Sequence, residues 1–193
     1  MKKTIIMITL VILSISLLLC ACTTDNQTGD IGKGTNTGMT TNDDYGKYNV
    51  YFGNMDGKGL ISEQRAYSQS YGNGNNMDYV GMGREVLNGL FSGPTNTTYR
   101  STVTKNTKVN SISMDNNTQT MSVDLNDGFL DGYDQLGVDE NMTIYSIVNS
   151  LTDLEGIKQV KITLNGKPLQ IKNTAYPNPF TRDTTYIVQP LLP

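Results

Sequence analysis

Thiols, carboxylates, hydroxyls and phenols are the side chains with chemistry to offer, because the 193 residues include no His and only two Cys. Without an imidazole, Ser92, Ser101 and Ser111 have no base of the Ser–His kind, and no Ser-x-x-Lys frame replaces it. The same absence removes every His-ligated metal site. Carboxylates remain, and Asp124, Asp127, Asp131, Asp134, Asp139 and Glu140 crowd one stretch of chain. As a calcium loop, Asp124-Leu-Asn-Asp-Gly128 misplaces its Gly, and Gln135 stands where an EF-hand closes with Glu. A carboxylate hydrolase would need two of these acids facing across a cleft. The plainer reading is a solvated acidic loop, with Asp139 and Glu140 at a helix N-terminus that favours negative charge. Gly81-x-Gly83 lies inside a helical pattern and lacks the strand and third Gly of a dinucleotide loop, so close helix–sheet packing is expected there. These observations predict no catalytic residue, no metal site and no cofactor.

The two thiols point elsewhere. Met1-Lys2-Lys3 is a positive start, and Thr4 to Leu19 is an uncharged apolar run too short for the ~20 residues of a spanning helix. Leu19-Cys20-Ala21-Cys22 then fits a bacterial lipobox: aliphatic at −3, small at −1, and Cys22 as the residue that becomes lipidated. Ending at Cys20 instead would put Leu19 where a small residue is required. Residues 1–21 therefore read as a lipoprotein signal peptide, and acyl chains on Cys22 would anchor the chain stably to the outer face of a membrane. An uncleaved N-terminal anchor is the alternative. Thr23 after Cys22 carries no inner-membrane retention signal.

Eleven tyrosines against four Phe and no Trp are the remaining oddity. Tyr45, Tyr48, Tyr51, Tyr67, Tyr71 and Tyr79 fall in one third of the chain. They read either as half-buried residues at strand edges or as a platform for stacking cell-wall sugars.

The elements that position these groups follow from hydrophobic period. Residues 22–47 are rich in Gly, Thr and Asn without periodicity, and read as a flexible tether reaching roughly 25–30 Å. Asn49 to Gly53 and Leu60 to Ser68 read as strands around an Asp56-Gly57 turn. Asp78 caps an amphipathic helix from Tyr79 to Ser92, stopped by Gly93-Pro94. Ser101 to Lys105, Lys108 to Met114 and Thr120 to Leu125 read as extended, the last two joined by a hairpin turn at 115–118. After a loop at 126–139, Ile144, Ile147, Val148, Leu151 and Leu154 form one stripe on a second helix from about Asn141. Val160, Ile162 and Leu164 alternate in a closing strand ended by Asn165-Gly166. The fold class expected is α+β: one small domain, mainly antiparallel sheet, with two helices packed on one face. Its span is 48–172, followed by an irregular tail at 173–193 packed through Tyr176, Phe180 and Tyr186.

Charge narrows the partner. The chain carries −3, and a mature form without Lys2 and Lys3 carries −5, whereas nucleic-acid binding calls for a basic surface.

Leu87-Asn-Gly-Leu-Phe-Ser-Gly-Pro-Thr95, with Tyr99 to Val109 behind it, resembles the GerMN domain of sporulation and spore germination. In that family a helix ends in Leu-x-x-Gly-Pro, and a Ser-x-Ile/Val-Pro-x-Gly-Thr segment leads into a hairpin with a Val-Asp-Leu strand. Ser101 to Thr107 keeps that frame with Thr104 for Pro and Asn106 for Gly, and Val123-Asp124-Leu125 matches the hairpin strand. Ile147 to Ile157 and Val160 to Gly166 match the second helix and closing strand. The resemblance spans roughly 48–168. It implies an α/β sandwich-like domain shaped like ring-building modules, many members being lipoproteins, and protein interaction rather than catalysis. Members often carry two such domains, and this chain has room for one. The expected function is a lipid-anchored, non-catalytic interaction module outside the cytoplasm, binding an envelope or sporulation-complex protein or another copy of itself. A cell-wall glycan or peptide binder is the second reading.

Overall fold

The computed structural model describes residues 45–131 and 136–189. Cys20, Cys22, the tether up to residue 44, Asp134 and Gln135 lie outside the described residues.

Alternation of β-formers produces β1 (Lys47–Gly53) and β2 (Leu60–Ala66), paired antiparallel with Phe52 opposite Ile61. The tight return between them is held by Asn54, whose Oδ1 accepts from the N–H of Lys58 and of Gly59 at 3.1 Å each. Gly57 takes the positive φ of +72° that this turn demands. Helix α1 (Tyr79–Phe91) starts at Asp78, whose carboxylate accepts from Gly81 N–H at 2.8 Å.

The main sheet runs in the order β3 (Val109–Asp115), β4 (Thr120–Leu125), β5 (Gln159–Leu164), β6 (Lys167–Pro168). Strands β3 and β4 form the expected hairpin, and Asp115 closes its turn by accepting from Asn117 N–H at 2.9 Å and from the Thr118 hydroxyl at 2.9 Å. Strand β5 lies parallel to β4, with Val123 opposite Ile162, because helix α2 (Glu140–Thr152) makes the crossover between them. The other pairings between named strands are antiparallel, and the isolated Leu60–Ile187 bridge is parallel.

Met121, Val123 and Leu125 of β4 and Val160, Ile162 and Leu164 of β5 point to one buried face, as the period of two requires. Both helices cover that face. A Cβ on Gly83 would stand 2.5 Å from the Met121 sulfur, so a larger residue would make the Met121 side chain shift and Gly suits the close approach of α1. Ile144, Ile147, Val148 and Leu151 of α2 are fully buried, at about 1.5–3 kcal/mol apiece for full burial of such side chains.

The other side of α2 is buried too, which the stripe alone does not announce. Ser146, Asn149 and Ser150 have no solvent exposure. The Ser150 hydroxyl donates to Ser146 O at 2.6 Å and accepts from Tyr51 N–H at 2.9 Å, fastening β1 onto the helix. Small side chains here bring β1 near enough for a backbone-to-side-chain bond.

Two expectations are corrected. Ser101 to Lys105 is not a strand but a loop, turned by a Thr107 N–H to Thr104 O bond of 3.1 Å. Thr102 and Val103 are buried because that loop packs inward, so their β-forming character serves packing rather than a ladder. Residues 173–189 pack through Tyr176, Phe180 and Tyr186 as expected, but they are not irregular. Gln170–Ile171 (β7) pairs with Thr174–Ala175 (β8), and Phe180–Thr181 (β9) pairs with β5. Asn149 and Asp183 exchange hydrogen bonds of 2.8 and 3.0 Å, and Arg182 bridges Asp153 at 2.9 Å. Ile187 bridges Leu60, and Val188 N–H donates to Leu60 O at 2.8 Å, closing the outer edge of β2. Buried polar partners on α2 draw this segment in.

Candidate functional site

The Leu-x-x-Gly-Pro signature ends α1 for a reason visible in β2. Gly93 adopts φ +84°, and its N–H returns to Leu90 O at 3.1 Å. The helix-terminal carbonyls then receive a cation: Arg65 donates to Gly89 O and Gly93 O at 2.7 Å each. Arg65 also pairs with Glu63 at 2.8 Å and lies 5.3 Å from the centre of the Phe52 ring. Burial alone would raise the Glu63 carboxyl, but the bonds it accepts from Asn96 N–H, Arg65 and Thr95 N–H hold it below the usual carboxylate range. Thus β2, the helix end and the loop that follows form one unit, which launches the chain toward β3.

Asp124, the acid of Val-Asp-Leu, is likewise a strut. It accepts from the Thr163 hydroxyl at 2.6 Å, Gly166 N–H at 2.6 Å and Asn110 Nδ2 at 3.0 Å, joining β3, β4 and the turn after β5. Burial raises its pKa and these donors lower it, with lowering the net result.

Among the described residues the other acids do not converge. Asp139 caps α2 by accepting from Asn141 N–H at 2.8 Å, as its position predicted. Glu140 accepts from the Tyr176 hydroxyl at 2.7 Å and faces Lys172 at 3.6 Å. Asp127 opens a short 3-10 turn, Asp127–Phe129. Among the described residues no three His, Cys, Asp or Glu side chains gather as a metal ion would need. Ser92 donates to Asn88 O at 2.7 Å, and Ser111 lies on the polar outer face of the sheet.

The tyrosines turn their faces on one another. Tyr48, Tyr51 and Tyr67 are buried, and Tyr45, Tyr71 and Tyr79 are half-buried. The Tyr67 ring sits 4.7 Å from Tyr48 and 5.4 Å from Tyr71, and the Tyr71 hydroxyl bonds to Glu85. Burial, with Tyr48 and Glu85 nearby, pushes the Tyr67 phenol well above its ordinary value, and its hydroxyl has no hydrogen-bond partner. Tyr51 is held by Arg182 and by Asp153, whose Oδ1 accepts from its hydroxyl at 3.2 Å.

Among the described residues, what remains exposed includes a strand edge and several grooves, one of about 620 Å³ lined in part by Tyr48, Tyr67 and Tyr79. Strand β3 ends the main sheet, so one side of its backbone has no strand partner among the described residues. Val109 to Met114 contains neither Pro nor a charged residue. A groove of about 660 Å³ opens at the start of this strand, between the Arg84–Asn88–Phe91 flank of α1 and the Lys105–Val109 segment. A further groove, of about 680 Å³, lies at the tip of the β1–β2 hairpin, lined by Met55, Ile61, Tyr99 and Val188. Met55 is 69% exposed. Sequence reading missed Glu63, Arg65 and the groove at the start of β3 alike, because each unites residues distant along the chain.

A family model described as sporulation and spore germination, named Germane, matches residues 49–170. Among solved structures, the first GerMN domain of the sporulation protein GerM from Bacillus subtilis aligns with a TM-score of 0.56 at 18% identity, covering 70% of this chain and 97% of that one. The tandem GerMN domains of the same protein align with a TM-score of 0.56 at 17% identity, covering 70% of this chain and 45% of that one. The chain therefore spans less than half of the tandem structure. No curated protein matches.

Proposed function

The chain belongs to the Germane family of sporulation and spore germination domains, and on that premise we propose that it is a lipid-anchored, non-catalytic protein-interaction module of the cell envelope. Acyl groups on Cys22 would hold it to the outer face of the membrane, and the tether would present the domain to an envelope or sporulation-complex protein. The observation that carries this reading is the family match across residues 49–170. The chemistry of the domain supports it. Asp124 and Asp153 of the signature segments are spent on hydrogen bonds that hold neighbouring elements together, and the open features include a strand edge and grooves. Tyrosine faces buried against one another weigh against a sugar-stacking platform.

Crosslinking in intact cells tests the reading. The tagged full chain should appear in adducts that protease destroys and that lysozyme digestion of the wall leaves unchanged. Adducts that collapse on lysozyme treatment and yield no second protein would transfer the role to wall binding.

A further inference from the structure

On the Proposed function's reading of an interaction module, we propose that its partner is an extended acidic polypeptide segment, added as a strand to the free edge of β3 with its carboxylates in the adjoining basic groove. Three cations define that groove: Arg84 on α1, and Lys105 and Lys108 in the segment entering β3. All three are exposed, and no acid lines the groove with them. Their neighbours there, Asn88, Ser92 and Thr107, are neutral. Among the described residues, none of the three cationic groups has an ion pair or side-chain hydrogen bond. On a chain whose net charge is −3, an unneutralised basic groove is the exception, and it attracts negative charge.

The geometry selects a polypeptide among anions. The groove leads directly onto Val109, and from there β3 offers a row of backbone donors and acceptors with no strand beyond it among the described residues. An extended peptide satisfies such an edge, its main chain giving affinity and its alternate side chains giving specificity. On the opposite flank β5 is covered by β6 and β9, strands of only two residues each. Pro168 within β6 further blunts it. Among the described residues β3 is therefore the longest open edge of the main sheet, seven residues against two each for β6 and β9, and it is the edge with the cations. Helix α1 does not cover them. Its Gly83 packs over Met121 and Ile112, and its Gly89 packs against Tyr48 and Arg65, which leaves the Arg84–Asn88 flank facing the groove.

The test uses the full chain purified in detergent and a fluorescent peptide of about a dozen residues alternating Glu and Val, followed by anisotropy. The triple variant Arg84→Gln, Lys105→Gln, Lys108→Gln removes only exposed charge, and its circular dichroism and urea midpoint verify folding. The proposal expects saturable binding that weakens at least about tenfold in the variant. It also expects weakening in high salt, and no binding of the matching Gln/Val peptide. Equal binding by wild type and variant, or no binding by either, overturns it. Binding of a soluble glycerol-phosphate polymer that matches or exceeds the peptide's also overturns it, and assigns the groove to wall polyanions. Protease-sensitive adducts in cells alongside a failed peptide titration would sink this inference and leave the module reading standing. Lysozyme-sensitive adducts alone would sink the module reading.

Discussion

Replacing Arg65 with Met keeps most of the side-chain volume over Phe52 but removes the fork that closes α1. Two helix-terminal carbonyls lose donors at 2.7 Å, and Glu63, whose side chain is only 10% exposed, loses its cation. Hydrogen bonds to charged groups are worth about 1.5–3 kcal/mol on deletion, and breaking a buried ion pair costs about 3–5 kcal/mol. Glu63 keeps its N–H donors from Thr95 and Asn96, and Met still covers apolar surface, so the net loss should be about 3 kcal/mol. That is a large fraction of the roughly 5–15 kcal/mol of a typical domain. In urea, with a slope of about 2 kcal/mol per molar, the midpoint should fall by about 1.5 M at unchanged slope. Arg65→Lys retains charge without the planar fork and should recover less than half of the loss. A loss below about 1 kcal/mol, or a Lys variant as stable as wild type, would refute the assignment of Arg65 as the structural reason for the helix-ending signature.

Tyr67→Phe should leave stability unchanged or raise it by about 1 kcal/mol, since it deletes a buried hydroxyl without a partner and keeps the ring contacts. A urea midpoint that drops instead would show that the hydroxyl is bonded. The Glu63 and Asp124 carboxyls lie below their ordinary values in the folded domain, so between those values and the unfolded ones the unfolded chain binds more protons. Their contribution should be complete above about pH 5 and vanish as pH falls through the depressed native values. Urea midpoints from pH 6 to 2 should therefore decline less steeply for Asp124→Asn than for wild type. Cys22→Ala should leave the protein unacylated, and its intact mass and membrane fractionation should both change.

Legibility followed period and turn chemistry. The alternation in β4 and β5, the stripe on α2, the Asp78 cap and the Asn-Asn turn after Asp115 were readable because each is a local pattern with one geometric meaning. The helix-side burial of Val123 and Ile162 followed directly. Burial of the second side of α2 was not readable: Ser146, Asn149 and Ser150 look solvent-facing until Tyr51 and Asp183 are brought to them. The same partners explain why residues 173–189 pack onto the domain despite Pro-rich sequence. Thr102 and Val103 misled as β-formers because a packed loop buries them equally well. For the candidate surface, β3 was visible as a strand, but its place at the sheet edge depends on topology. Arg84 and Lys105 become neighbours only when α1 lies over β3. The Leu-x-x-Gly-Pro signature was legible as a helix end, while its cation, Arg65, sits on another element.

The most direct measurement is a crosslinking pull-down of the tagged full chain from vegetative and sporulating cells, compared with Cys22→Ala and read by mass spectrometry. An anchored interaction module predicts a specific envelope protein enriched with the wild-type chain and lost with Cys22→Ala. Recovery of wall fragments with no enriched protein, or identical capture by both chains, would contradict it.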